Sequence, residues 1–214
     1  MGWAFKRAVG GVAVCLLATA CGGEKPEPER VAAEQQCDGS LSPEAARALE
    51  TVMKTKRFSA AGEGGLERVT NELAEDYTKF PLWTHGRDLC EVNNPGNSGR
   101  VEIKLRLRRD DDPLGGGHAA NLHRYDMGVD ALSGPGGAEV VLFCVSPRFR
   151  GSDKRPARVQ GALTLRKAKL PDTVRIREAN LTILHSVTLA LVRELGCEDD
   201  AGLTEKPVFR PKPE

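Results

Sequence analysis

The spacing of hydrophobic residues predicts two helices near the start of the folded part of the chain. The first begins at Ser42, because a serine side chain accepts a hydrogen bond at a helix N-terminus, and Pro43 fits the first turn that follows. The second covers 64–80, where large apolar residues recur on one helix face at Leu66, Val69, Leu73 and Tyr77.

The middle of the chain changes to the period of β-strands. Residues 157–167 alternate between apolar and polar positions, and the apolar run 138–145 is typical of a central strand covered on both faces. A short segment around Cys90 predicts another strand. Residues 100–109 alternate strictly, with one apolar face made by Val101, Ile103, Leu105 and Leu107.

The last large element is a long helix between Asp172 and Gly196. Asp172 is a suitable N-cap, and Gly196 is a suitable residue at the C-terminal end. From Thr182 to Val192 only His185 can carry a charge, so we expect this helix to be well buried. The order of elements predicts an α+β fold, with an antiparallel sheet of about four strands, two N-terminal helices and the long C-terminal helix packed on it.

The first residues have the pattern of a secretory signal peptide, 1–20. Lys6 and Arg7 precede the uncharged run Ala8–Ala20, which is shorter than the ~20 residues that cross a bilayer. A buried N-terminal helix is the alternative, but adjacent glycines and the abrupt change to polar residues disfavour it. Ordinary signal peptidase also cleaves after small residues such as Ala20, so the next residue decides between secretion and anchoring.

That next residue is Cys21, and its context resembles the lipobox of bacterial lipoproteins. The match is incomplete, because the position three residues before the cysteine is usually leucine and is Ala18 here. The resemblance implies cleavage between Ala20 and Cys21 and attachment of a diacylglycerol to the Cys21 thiol. Buried acyl methylenes would then bind the lipid bilayer and place the protein on the outer face of the cell membrane.

Composition divides the mature chain into three parts. Residues 21–36 contain Cys21 followed by glycine, proline and charged residues that bury little, which predicts a lipidated cysteine with a flexible tether. We expect a single disulfide-stabilised domain over 37–203. The last part, 204–214, is rich in proline and is predicted to be an extended or loose tail.

Cysteine usage supports the same interpretation. The chain has six cysteines, of which Cys15 leaves with the signal peptide and Cys21 takes the lipid. An even number then remains, as expected for disulfides in an oxidising compartment, at Cys37, Cys90, Cys144 and Cys197.

These cysteines allow three pairings, and the residues alone leave them open. We favour a bond between Cys90 and Cys144 within the sheet, together with one between Cys37 and Cys197 that joins the ends of the domain. The main alternative joins Cys37 to Cys90 and Cys144 to Cys197. No two of them have C-x-x-C spacing, so we expect no metal site.

Charge and motif content exclude several functions. The formal net charge of +1 disfavours a general nucleic-acid binder. The sequence has no motif for a catalytic serine, a phosphate-binding loop or a dinucleotide site, so we expect no cofactor and assign no catalytic residue. Asp110–Pro113 lacks the ligand spacing of a calcium loop and is interpreted as a solvated turn.

Histidines and one basic segment are the remaining candidates for chemistry. His118 and His123 lie in a glycine-rich segment and are expected to be exposed, whereas His185 is expected to be a neutral, hydrogen-bonded core residue. Residues 148–158 form a basic segment that contains Phe149. We interpret it as an exposed loop, with contact to anionic wall polymer or lipid as the alternative.

Several segments together resemble small secreted lipoproteins of actinobacteria, those of Streptomyces in particular. They are the Ala-Thr-Ala-Cys start, the proline-rich tether and the segments CDGSLSPEAARALE, LCEV, LFCVSP and LVRELGC. The resemblance implies a lipid-anchored location and a four-cysteine framework, and it implies no catalytic residue.

These observations predict a non-catalytic, membrane-anchored extracytoplasmic module that binds an envelope protein or a ligand. One alternative is a lipid-anchored hydrolase with dispersed catalytic residues. A deep cleft that joins His118 or His123 to acidic side chains would favour it. The other alternative is a purely structural envelope protein.

Overall fold

The computed structural model of the protein describes residues 29–60, 65–79, 85–97, 99–109, 112 and 121–212. The predicted signal peptide, its cleavage site between Ala20 and Cys21, and the predicted lipidation of Cys21 lie outside these residues. Three α-helices and two β-sheets make up the described part.

The helices lie where the sequence pattern predicts them, at α1 Pro43–Met53, α2 Gly65–Tyr77 and α3 Val174–Leu195. Ser42 caps α1, and its Oγ accepts a hydrogen bond from the Ala45 N–H at 3.2 Å. The N-cap of α3 is Thr173 and not Asp172, since the Thr173 Oγ1 accepts from the Ile176 N–H at 3.3 Å. Within the described residues, no helix combines the length and the apolar composition needed to cross a membrane.

The predicted single sheet of about four strands is wrong, although the fold is still α+β. Two antiparallel sheets are present, one of six strands in the order β3-β4-β8-β7-β6-β5 and one of two strands, β1 and β2. The strands are β1 Arg30–Val31, β2 Phe58–Ser59, β3 Arg87–Asn93, β4 Arg100–Leu107, β5 His123–Tyr125, β6 Asp130–Gly134, β7 Gly137–Cys144 and β8 Ala157–Arg166.

The strands that the pattern did not predict are short. β5 has three residues and β6 has five, while β1 and β2 have two each. So few residues do not establish an alternating period. Gly134 and Gly137 are paired residues at the ends of β6 and β7, on either side of the two-residue turn 135–136.

The helices cover one face of the large sheet, which we call the inner face. α3 contacts β6, β7 and β8, whereas α2 contacts β3 and β4. α1 packs mainly on α3. Ser186 of α3 joins the two helices, because its Oγ accepts from the Ser42 N–H at 2.8 Å and donates to the Ser40 carbonyl at 2.9 Å.

The opposite face, which we call the outer face, carries polar side chains at alternate strand positions. Arg106 Nε donates to Gln160 Oε1 at 2.7 Å, and Gln160 Nε2 donates to Glu139 Oε2 at 2.9 Å. The prediction that the strand at 138–145 is covered on both faces is wrong at Phe143. This residue lies on the outer face and is 48% exposed.

All four cysteines of the domain are in disulfides, but the favoured pairing is wrong. The bonds are Cys37–Cys90, with Cα atoms 5.2 Å apart, and Cys144–Cys197, with Cα atoms 5.1 Å apart. Cys90 lies on β3 and Cys144 on β7, and two strands separate them. Three spacings of ~4.8 Å put these strands ~14 Å apart, well beyond the ~7 Å limit for the Cα atoms of a disulfide.

Residues before Cys37 belong to the folded domain. Ala33 and Gln36 are fully buried, and Gln36 Nε2 donates to the Ser59 carbonyl at 3.1 Å. Part of the segment 21–36, which the sequence predicts to be a tether, is therefore domain structure.

The proline-rich tail also has defined contacts, because it runs along the edge strand β5. The Asp126 N–H donates to the Arg210 carbonyl at 2.7 Å, and the Lys212 N–H donates to the Arg124 carbonyl at 3.0 Å. Hydrogen bonds from the tail thus cover an edge that would otherwise offer unpaired backbone groups.

We expect each disulfide to stabilise the domain through the loop that it closes. Each joins residues 53 positions apart, and the chain-entropy relation gives about 4 kcal/mol for such a loop. Urea unfolding of the Cys37→Ala/Cys90→Ala variant should show a loss of that order. Peptide mapping of the non-reduced protein should recover Cys37 joined to Cys90, and a peptide joining Cys90 to Cys144 would contradict the fold.

Candidate functional site

The described part of the chain forms a groove on the outer face of the large sheet. It encloses about 520 Å³, a size typical of small-molecule sites. Because small side chains leave the strand surface uncovered, the groove forms where three neighbouring strands carry small residues. The floor is made by Gly134 of β6, Gly137 of β7, and Ala162 and Thr164 of β8.

Close backbone contacts require two of these floor residues to be glycine. A Cβ at Gly134 would collide with the Asn121 carbonyl oxygen, and a Cβ at Gly137 would collide with the Leu163 carbonyl oxygen. The Leu122 side chain is also close, 3.1 Å from the position of a Cβ at Gly134. The chain before β5 therefore crosses directly over β6 and forms one wall of the groove.

Charged groups at the rim of the groove already have hydrogen-bond partners. Arg166 Nε donates to Glu102 Oε2 at 3.1 Å, and Glu139 Oε2 accepts from Gln160 Nε2 at 2.9 Å. The groove therefore suits a ligand with an apolar body and little charge. The apolar wall beside the floor is formed by Leu122 and Pro135.

Ion pairs orient the side chains of the outer face next to the groove. Arg100 Nη2 lies 2.8 Å from Glu102 Oε1, and the same carboxylate contacts Arg166. Lys104 Nζ lies 3.0 Å from Asp88 Oδ1. Exposed pairs of this kind stabilise a protein little, but here they place a charged region on β3 and β4 and leave the apolar wall on the other side.

His123 lies near an acidic side chain, as the hydrolase alternative requires, but on the inner face. Its Nε2 is 3.4 Å from Asp172 Oδ2, and Arg177 Nη1 donates to Asp172 Oδ1 at 2.5 Å. Partial burial raises the pKa of Asp172, but hydrogen bonds from Arg177 and His123 outweigh burial and hold that pKa below its usual value. The Asp172 carboxylate is therefore ionised and shared between a guanidinium and an imidazole.

Ser133, which pairs with His123 across β5 and β6, is not accessible as a nucleophile. It is fully buried, and its Oγ donates to the Arg177 carbonyl at 2.9 Å. The groove lies on the other face of the sheet, so His123 and Asp172 do not line it.

The remaining histidines occupy unrelated environments. His85 is exposed, and His118 lies outside the described residues. His185 is buried, with 3% of its surface exposed, and burial lowers its pKa against an opposing hydrogen bond with the Thr204 backbone. In the part of the chain that the structure describes, no group of three or more His, Cys, Asp or Glu side chains is arranged to hold a metal ion.

The acidic turn 110–113 is described only at Asp112. Its backbone carbonyl accepts a hydrogen bond from Arg108, and its Oδ2 accepts from the Arg109 N–H at 3.2 Å. These bonds attach Asp112 to the end of β4, while the rest of the turn lies outside the described residues.

No known protein family, curated protein or solved structure matches the chain. The resemblance to actinobacterial lipoproteins therefore stays a prediction.

Two features of the sequence indicate the groove, although hydrophobic periodicity does not reveal them. Ala162 and Thr164 occupy the polar face of their strand, where long polar side chains normally stand in a solvated sheet. The glycines of the segment 133–137 are the other signal. Only the pairing of Thr164 with Gly137, and of Gly137 with Gly134, shows that these small residues meet.

We expect His185 to make stability decrease in mild acid. Burial lowers its pKa in the folded state, so the unfolded state binds the proton more readily. Its contribution to the free energy of unfolding should be constant above pH about 6.5 and fall as the pH decreases from there towards the folded-state pKa. Urea unfolding at a series of pH values measures this slope.

The matched control is the exposed His85. His185→Gln should flatten the pH dependence below pH about 6.5, whereas His85→Gln should leave it unchanged. The same slope in both variants would contradict the assignment to His185.

Proposed function

We propose that the protein is a lipid-anchored extracytoplasmic binding module whose ligand occupies the groove. The observation that carries this proposal is the groove itself, with its floor of small residues from three strands and its apolar wall. Since Glu139 and Arg166 at the rim are engaged by neighbouring side chains, the ligand that fits is a small amphipathic molecule with an apolar body.

The two disulfides support a location outside the cytoplasm. Structural disulfides persist in oxidising compartments and are rare in the cytosol. Both bonds here join buried or partly buried cysteines in different elements of the fold. A protein exported by its signal peptide and retained at Cys21 would meet such conditions.

The short segment before the domain limits its distance from an anchor at Cys21. Val31 pairs with Phe58 in the small sheet, and the Glu29 carbonyl accepts from the Ala60 N–H at 3.1 Å. At most the segment 22–28, and not 22–36, therefore separates an anchor at Cys21 from these contacts. At ~3.6 Å per residue, this segment spans about 25 Å when fully extended. A lipidated Cys21 would therefore keep the domain close to the bilayer.

The pair of His123 and Asp172 is the observation that favours a hydrolase. A hydrolase agrees less well with the structure than a binding module does. Arg177 shares the Asp172 carboxylate, and Ser133 is buried. The groove also lies on the other face of the sheet from His123. A purely structural role does not explain the presence of the groove. Binding in the groove is thus the function that the geometry supports best.

The anchor is tested by metabolic labelling with a fatty-acid analogue in a bacterium that processes lipoproteins. We expect the native chain to take the label and to fractionate with membranes, because Cys21 supplies the only thiol next to the predicted cleavage site. Cys21→Ser should lose both properties, and Cys15→Ser, inside the signal peptide, should keep both. Label and membrane fractionation that survive Cys21→Ser would refute the anchor.

Ligand binding in the groove is tested with a dansyl-labelled fatty acid as the probe. We expect saturable fluorescence enhancement with the native domain. Ala162→Trp places an indole on the groove floor and should weaken binding at least about tenfold, or 1.4 kcal/mol. Because Ala162 faces outward, the melting temperature should change little.

The matched control for this experiment is Asp88→Trp. Asp88 lies on the outer face of β3, two strands away from β8, and its carboxylate pairs with the exposed Lys104. This variant should bind the probe like the native protein. Equal loss in both variants, or the absence of saturable binding to the native protein, would refute the groove as the ligand site.

A further inference from the structure

The loop that joins β7 to β8, residues 145–156, is strongly basic in a chain whose formal net charge is only +1. We call it the basic loop. Its one acidic residue is Asp153, and its basic residues are Arg148, Arg150, Lys154 and Arg155. A local excess of positive charge of this kind points to an anionic partner.

Buried side chains hold the basic loop on the domain. Phe149 is 1% exposed, and its ring centroid lies 4.8 Å from that of Tyr77 in α2. Ser152 is also buried, and its Oγ accepts from the Ser146 N–H at 2.9 Å. Phe149 is therefore an anchor of the loop and is not available to a partner. The prediction that residues 148–158 are an exposed loop is wrong at this residue. The charged residues next to Phe149 are therefore held in fixed positions on the surface of the domain.

Two cations of the basic loop are available for a partner. Arg150 and Lys154 are exposed, and neither forms an ion pair with another described residue. Arg148 is less available to a partner, because its guanidinium already contacts two side chains. Its Nη1 donates to Asn71 Oδ1 at 3.1 Å, and its Nη2 lies 3.9 Å from Glu194 Oε1. Arg150 and Lys154 are thus the residues whose replacement tests the charge of the loop without breaking a contact in the fold.

An exposed aromatic ring precedes the basic loop by two residues in the chain. Phe143, at the end of β7, is 48% exposed, and the Arg158 Cζ lies 5.9 Å from its ring centroid. Arg158 is the second residue of β8, just after the basic loop. Cations beside an exposed ring are the combination with which peripheral proteins contact a bilayer, because cations meet lipid phosphates while the ring enters the headgroup boundary.

We propose that the basic loop and Phe143 form a contact surface for a bilayer that contains anionic lipid. The choice of a bilayer over a soluble polyanion rests partly on the proposed function, because an anchor at Cys21 and the segment 22–28 hold the domain within about 25 Å of lipid. Charge complementarity supports the same partner. Guanidinium and ammonium groups form charge-assisted hydrogen bonds with lipid phosphates.

This contact would orient the domain in a way that leaves the groove open. β8 runs from Arg158, beside the basic loop, to Arg166, at the rim of the groove. At ~3.3 Å per residue, this distance is about 26 Å. A domain that rests on the basic loop therefore keeps the groove clear of the headgroups.

The experiment uses the mature chain with Cys21→Ser, so that acyl anchoring does not contribute to binding. Co-sedimentation is measured with pure phosphatidylcholine vesicles and with vesicles that also contain phosphatidylglycerol. We expect binding only to the anionic vesicles. Since each cation near an anionic surface contributes about 1 kcal/mol, Arg150→Gln/Lys154→Gln should weaken binding about thirtyfold.

The matched control is Lys167→Gln/Lys169→Gln, which removes the same charge from exposed lysines just beyond the other end of β8. This control should bind within about twofold of the parent, because the residues lie far from the contact surface on the scale of the Debye length. Phe143→Ala should also weaken binding, and its effect should persist in high salt.

Three results would overturn the proposal. They are vesicle binding that does not depend on phosphatidylglycerol, equal losses in the two double variants, and binding to soluble poly(glycerol phosphate) without binding to vesicles. The last result would identify a wall polymer as the partner. Labelling of Cys21 is measured separately, so failure of the contact surface and failure of the anchor are distinguishable.

Discussion

The close contact between α3 and the centre of the large sheet determines the arrangement of the rest of the domain. A Cβ at Gly161 of β8 would lie 2.9 Å from Thr188 Oγ1 of α3, so the helix approaches this strand more closely than a side chain would allow. α3 in turn carries α1 through Ser186 and ends next to Cys197, which bonds to Cys144 of β7. Without this contact, α3, α1 and the Cys144–Cys197 disulfide would lose their positions relative to the sheet.

One consequence of this packing is that the two faces of the sheet have different roles. The helices and the inward apolar residues of β4, β7 and β8 stabilise the domain on the inner face. At the groove the outer face is free of that requirement, so its small residues at Ala162 and Thr164 can form a groove without opening the core. Cations of the basic loop stand at the opposite end of β8, so a ligand and a membrane would meet different parts of the molecule.

Elements with a strong local signal were predictable from the sequence. Ser42 and Pro43 indicate the start of α1, and the alternation from Val101 to Leu107 indicates β4 and its buried face. β5 and β6 were not predictable, because they are too short to show a period and depend on β7 for their pairing. The disulfide pairing failed for a related reason, since it depends on the order of strands and alternation does not encode that order. The groove is a property of strand register, so the residues of its floor are recognisable only after Thr164 is known to lie opposite Gly137.

The claim that the inner face of the sheet is buried while the outer face is open to a ligand at the groove is tested most directly by thiol labelling in the native state. Every cysteine of the described part is in a disulfide. In a chain that begins at residue 21, which lacks Cys15, a single introduced cysteine therefore reports its own accessibility once Cys21 is replaced by serine. Thr164→Cys, on the groove floor, should react with a maleimide at a rate close to that of the unfolded chain. Leu163→Cys, one residue away on the inner face and 3% exposed before substitution, should react only after unfolding. Equal protection at the two positions, or faster labelling at 163 than at 164, would contradict the claim.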